Sequence, residues 1–169
     1  MAAYLPVAFI FFLLLIFGTH SVYHWSHADA VSHDALIAHK LPFLNVPFWS
    51  VRIVIYFGLW ILLAWLLRKF SLKEDIEGGL KNFRKLEQRA KIFLFVIPIT
   101  FSIAVIDWIM SIDVHWYSTI FAIKNFVAAF HHGAIIITLM VIVLNQRGYF
   151  PFLNKFHLQD FSRYIFMLC

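Results

Sequence analysis

The chain has 169 residues, of which 62% are hydrophobic and only 14% charged, with a formal charge of +5 and a mean hydropathy of +0.80. Soluble domains average roughly 45–50% apolar and about 25% charged residues, so this composition excludes an ordinary soluble domain. Nor does the positive charge read as a nucleic-acid surface: eight of the fourteen Lys and Arg residues fall within 68–91, beside two apolar runs, which is a membrane-topology pattern.

The apolar runs are near 20 residues long, each sufficient to cross a hydrocarbon core of about 30 Å. The alternating segments of about ten residues that mark a membrane β-barrel are absent. The predicted fold is therefore all-α: a polytopic transmembrane helical bundle with about four full spans and the start of a fifth, forming one transmembrane domain over 1–169 as part of a larger helical membrane subunit.

The first predicted helix covers 5–19, with Pro6 tolerated in its first turn. The N-terminus has neither a charged n-region nor a small-residue cleavage site after Gly18, so no signal peptide is expected. A histidine-rich loop over 20–47 follows, containing His20, His24, His27, His33 and His39. His24 and His27 have a zinc-pair spacing, but a structural or partner-contact loop is the preferred reading.

The second helix covers 48–67 and is interrupted only by Arg52, placed near enough to its end to snorkel. Next comes the basic loop 68–91, in which Ser71-Leu-Lys-Glu74 reads as a capping box for a short surface helix broken by Gly78-Gly79. The third helix covers 92–110, with Pro98 as a kink, and the fourth covers 116–144. Gly148 and Pro151 mark a turn before a fifth helix that begins near Leu158 and stops at the lone Cys169, so the sequence reads as a piece of a longer protein. One cysteine allows neither an internal disulfide nor a multi-cysteine metal site.

The Lys and Arg bias puts 68–91 in the cytoplasm, with Arg147 and Lys155 on the same side. The loop 20–47 and the turn at 113–115 then face outward, toward the periplasm of a Gram-negative cell.

Chemistry concentrates in Asp107-Trp-Ile-Met-Ser-Ile-Asp113-Val-His115-Trp-Tyr-Ser-Thr119, which brings two carboxylates, an imidazole and three aromatic rings to an expected membrane boundary. Ionisable groups there are costly and mark sites or relays. Two readings stand. In one, Asp113 or Ser111 caps the next helix while Trp108, Trp116 and Tyr117 form an aromatic belt. In the other, Asp107, Asp113 and His115 accept the two protons that quinol oxidation releases.

Lys124 and His131, seven residues apart, share a helical face; Lys124 is expected about 12 Å into its helix, too deep to snorkel comfortably. Together with Asp107 they would form a wet polar path. The adjacent His131 and His132 fit three readings: bonds to carbonyls of a neighbouring helix, proton conduction, or metal or haem ligation. No nucleotide-binding fingerprint, CxxCH haem attachment or nucleophile elbow is present in the sequence.

The 107–119 segment resembles the pattern Asp-Trp-x-Met-Ser-x-Asp/Glu-x-His-Trp-x-Ser-Thr of the ActF family, the quinone-binding subunit 2 of alternative complex III. His33-Asp-Ala-Leu-Ile-Ala-His-Lys40, Leu44-Asn-Val-Pro-Phe-Trp-Ser-Val-Arg52-Ile-Val-Ile-Tyr56, Gly148-Tyr-Phe and His157-Leu-Gln-Asp160 are also similar to it, so the resemblance covers about 20–169. The chain departs from the pattern at Ile123-Lys-Asn-Phe126 and His131-His-Gly133.

The resemblance implies a polysulfide-reductase-type anchor of about ten helices in the bacterial inner membrane, within a quinol:cytochrome c oxidoreductase. It implies no haem, iron–sulfur centre or metal on this chain, and a quinone such as menaquinol at an interface. The implied partners are an iron–sulfur protein, a multihaem cytochrome c, a paralogous membrane subunit that is the better candidate for quinol oxidation, and a terminal oxidase. Proton conduction is the role most often given to such subunits. A secondary transporter or ion channel, which would show inverted repeats and broken helices, and a purely structural anchor are the rival readings.

Overall fold

The computed structural model describes residues 4–78, 80–150 and 153–168. Gly79, Pro151 and Cys169, each given a role above, lie outside the described residues. The chain divides into two compact units, Met1–Thr119 and Ile120–Cys169. All regular structure among the described residues is helical.

In the first unit, α1 (Tyr4–Phe17) packs on α5 (Val46–Glu77) through aromatic contacts. The rings of Phe9 and Phe12 lie 5.3 and 5.2 Å from that of Phe57, and Phe12 lies 4.2 Å from Trp108. The expected loop over 20–47 is instead an ordered cap of short pieces. These are α2 (Thr19–Val22), a single 3-10 turn (His24–Ser26), α3 (Ala28–His33) and α4 (Ala35–Lys40). The cap is fixed by its apolar residues: Tyr23, Trp25, Ala30, Ile37 and Leu44 are buried in the core with Trp49, Ile53 and Phe57.

Asn45 starts α5 by accepting the Phe48 N–H at 2.9 Å, with Pro47 in the first turn where its missing N–H costs nothing. The helix then continues for 32 residues, straight through the sequence expected to be a loop. Residues 68–77 include six good helix formers (Arg68, Lys69, Leu72, Lys73, Glu74 and Glu77) and no Gly or Pro, and Lys73 pairs with Glu77 one turn on at 3.5 Å. Ser71 therefore lies inside α5 and opens no new helix.

The break comes at Gly78, whose φ of 63° and ψ of −162° lie in a region essentially restricted to glycine. Helix α6 (Leu80–Trp108) follows and runs through Pro98 without interruption. Contacts between residues 52 and 107, 60 and 100, and 70 and 89 show that α5 and α6 are antiparallel.

The second unit consists of α7 (Phe121–Gln146) and α8 (Lys155–Met167), which pack together. Helix α8 opens with a capping box between Asn154 and His157. Helix α7 begins five residues later than expected: 113–120 is a non-helical bend, because side chains capture its backbone before a helix can form.

Three segments, Val46–Glu77, Leu80–Ile112 and Phe121–Gln146, are long and apolar enough to cross a membrane. The expected fourth, α1, has 14 described residues, or about 21 Å of helix against a core of about 30 Å. The chain is thus a multi-pass membrane protein by helix length and hydropathy.

Candidate functional site

The site is built where α6 ends. The last carbonyls of a helix have no partners within it, and at a buried end something else must supply donors. Here the Asp107 carbonyl accepts from the Trp49 indole at 3.0 Å and from the Ser111 hydroxyl. The Trp108 carbonyl accepts from Tyr23 Oη at 2.9 Å. Beyond the helix, Lys40 Nζ reaches the Val114 carbonyl at 2.8 Å. Trp49, Tyr23 and Lys40 thereby hold 107–114 from outside the segment, and Ser111 ties it from within.

The Asp107 side chain is fully buried and saturated with donors. Its Oδ2 accepts from Arg52 Nε at 2.8 Å and from Tyr56 Oη at 2.8 Å, while Oδ1 accepts from Arg52 Nη2 at 3.1 Å. Arg52 also donates from Nη1 to the Phe43 carbonyl at 3.0 Å, and its guanidinium lies 4.0 and 4.5 Å from the Phe43 and Phe48 ring centres. The snorkelling expected for Arg52 is therefore incorrect: it is buried and turned into the protein, because a carboxylate on the facing helix is a better partner than distant water.

Trp108, expected in an aromatic belt, turns inward as well. Its ring lies 5.7, 5.9 and 6.0 Å from those of Phe57, Trp60 and Tyr56. Trp116 and Tyr117 remain exposed.

Asp113 caps no helix. It accepts the His115 N–H at 3.0 Å, a two-residue side-chain turn that bends the chain away from helical geometry. His115, expected in a first helical turn, sits in this bend, and its Nε2 lies 2.9 Å from Asp34 Oδ2. Asp34 has two tasks, since it also caps α4 by accepting from Leu36 and Ile37 N–H at 2.9 and 3.3 Å. Desolvation pushes its carboxyl up, but those N–H groups, with His115 and His24 nearby, hold it below the usual carboxylate range. Burial, reinforced by Asp107, pushes the Tyr23 phenol up to about 12.

Beside the bend lies a cleft of about 260 Å³, lined among others by Lys40, Phe43, Met110, Ser111, Asp113, Trp116 and Tyr117. Its walls are mainly apolar, with a few polar side chains among them.

No family model matches the chain, and no curated protein matches it.

In the second unit, Lys124 is exposed and only three residues from the start of α7, about 4.5 Å along the axis. The depth expected for it came from placing the helix start at 116. His132 is exposed, with Nδ1 2.6 Å from the Ala128 carbonyl of its own helix rather than a neighbouring one, and His131 is half-buried with its ring 6.0 Å away. In the cap, His27 Nε2 lies 2.7 Å from the His20 carbonyl and His20 Nδ1 lies 3.1 Å from Ser26 Oγ, so these rings are used in local bonds. Among the described residues, no group of three or more His, Cys, Asp or Glu is placed to hold a metal ion.

Arg52, Tyr56, Trp49, Lys40, Asp34 and Tyr23 were not among the predicted site residues. One signal was available for the first: a lone cation in one apolar run and a lone carboxylate in the next are cheapest when paired.

Proposed function

We propose that the chain is a multi-pass membrane subunit of a respiratory quinol:electron-acceptor oxidoreductase of the alternative complex III type, serving in scaffolding and proton handling. The observation that supports this reading most is the His115–Asp34 pair at 2.9 Å beside the cleft that Ser111, Asp113, Trp116 and Tyr117 line. An imidazole and a carboxylate in contact are suited to receiving protons, and a mainly apolar cleft with few polar groups suits a quinone ring. Both features lie within or against the 107–119 segment that resembles the family.

For Asp107 the geometry favours a structural role. A carboxylate with three donated hydrogen bonds from Arg52 and Tyr56 and no exposure is a brace between helices rather than a proton acceptor.

The test is gentle purification of the tagged full-length protein from its native membrane, with identification of co-purifying chains and assay of quinol oxidation. Recovery with an iron–sulfur protein and a multihaem cytochrome c is expected. Recovery alone, or as a homo-oligomer with transport activity, would overturn the reading. Within an active complex, His115→Ala should lower quinol turnover more than assembly; the opposite pattern would make the pair purely structural.

A further inference from the structure

The charges on the α5–α6 hairpin are sorted by height. At 32 residues α5 is about 48 Å long, well beyond the hydrocarbon thickness of about 30 Å, so the hairpin extends past the apolar layer. The apolar stretches end near Leu67 on α5 and Ile92 on α6. Just past that boundary, residues 68–72 and 84–91 hold six Lys or Arg against one carboxylate, Glu87. At the tip, 73–81 holds two Lys against three carboxylates. Positive charge is thus concentrated at one level, next to the apolar boundary, and is reversed farther out.

Cross-helix geometry shows that this level is shared by both helices. The Arg89 guanidinium of α6 lies 5.7 Å from the Phe70 ring centre of α5, so residues 68–70 and 89 are side by side. Lys69 Nζ lies 5.1 Å from the ring of Trp65, which is itself 53% exposed. Arg68, Lys69, Lys85 and Arg89 are all exposed, and none has a carboxylate within salt-bridge distance among the described residues. An exposed Trp65 and a partly buried Phe70 beneath cations that lack a carboxylate partner, just beyond an apolar span, match the depth of lipid phosphates.

We propose that Arg68, Lys69 and Arg89 form a collar that binds the phosphate headgroups of anionic phospholipids, with Trp65 and Phe70 as its floor. A soluble acidic partner is the less suitable occupant, because it would meet the net-negative tip first. Lipid phosphates lie at the level where the charge is concentrated, and each cation near such a surface contributes about 1 kcal/mol, about fivefold in retention.

The test reconstitutes the full chain in nanodiscs of phosphatidylcholine mixed with phosphatidylglycerol and measures retained lipid by native mass spectrometry. The triple variant Arg68→Gln, Lys69→Gln, Arg89→Gln is compared with the tip variant Lys73→Gln, Lys81→Gln. Phosphatidylglycerol should be enriched by the unaltered chain, and the enrichment should fall at least fivefold in the collar variant but persist in the tip variant. A charge-keeping variant, Arg68→Lys with Arg89→Lys, controls for folding and should retain the lipid. Equal enrichment in the collar and unaltered chains would overturn the proposal. So would equal loss in the tip variant, or retention of polyglutamate by lipid-free protein without any lipid preference, which would indicate an acidic protein partner.

Discussion

Arg52 and Asp107, 55 residues apart, meet through two hydrogen bonds of 2.8 and 3.1 Å with side chains 9% and 0% exposed. Removing one member of such a pair leaves an uncompensated charge and costs about 3–5 kcal/mol, whereas replacing both is much milder. Asp107→Ala should therefore strongly reduce folded protein in the membrane and lower its unfolding temperature in detergent. The double variant Arg52→Met, Asp107→Leu should recover a good part of that loss. A double variant as unstable as the single would show that Phe43, Tyr56 and the backbone depend on the charges themselves.

Gly78 has open space where a Cβ would be added, so substitution there tests backbone conformation alone. Its φ of 63° and ψ of −162° predict a cost of about 1–3 kcal/mol for Gly78→Ala. Gly58, inside α5 and equally open, serves as the control: Gly58→Ala should be neutral or slightly stabilising. Thermal unfolding of the two variants side by side decides the matter.

The cap should loosen in acid. Asp34 has a lowered pKa in the folded protein, so its contribution is present above the unfolded carboxylate range, near 3.9, and is lost as pH falls through the lower folded value. Hydrogen exchange at the Leu36 and Ile37 amides should quicken over that acid range, after correction for intrinsic rates. Asp34→Asn should abolish the pH-dependent part. A pH dependence that survives the substitution would assign it to another group.

Lys124→Met should leave folded yield and stability within about 0.5 kcal/mol, because Lys124 is exposed in the first turn of α7. If the proposed function holds, a loss of proton release coupled to quinol oxidation in that variant would then report function directly. A drop in assembled complex instead would reveal a counter-charge on a neighbouring subunit.

The apolar runs of α5, α6 and α7 were legible because length and hydropathy are local properties, and the apolar face of a membrane helix needs no partner to declare itself. The aqueous ends of α5 and α6 were not. Basic residues were read as a loop signal, although Lys, Arg, Glu and Leu are good helix formers and the run continues to Gly78. The bend at 113–120 was hidden for a different reason: Asp113 and Lys40 hold that backbone, and the second of these comes from 74 residues away. The 107–119 motif stood out in the sequence as a dense segment, but the partners of Asp107, Arg52 and Tyr56, lie 55 and 51 residues away on another helix and left no local signal.

The antiparallel arrangement of α5 and α6 also bears on biogenesis. Translation delivers Arg52 long before Asp107, so the nascent α5 carries an unmatched cation until nearly all of α6 has emerged. Either helix alone brings an ionised group toward hydrocarbon at a cost of at least about 2.5–3.5 kcal/mol. The two helices are therefore best inserted as one hairpin, turning at Gly78, with charge neutralisation as its closing event. Asp107 then acts as a latch on membrane integration, and a chain truncated before it should stall at the translocon or be degraded.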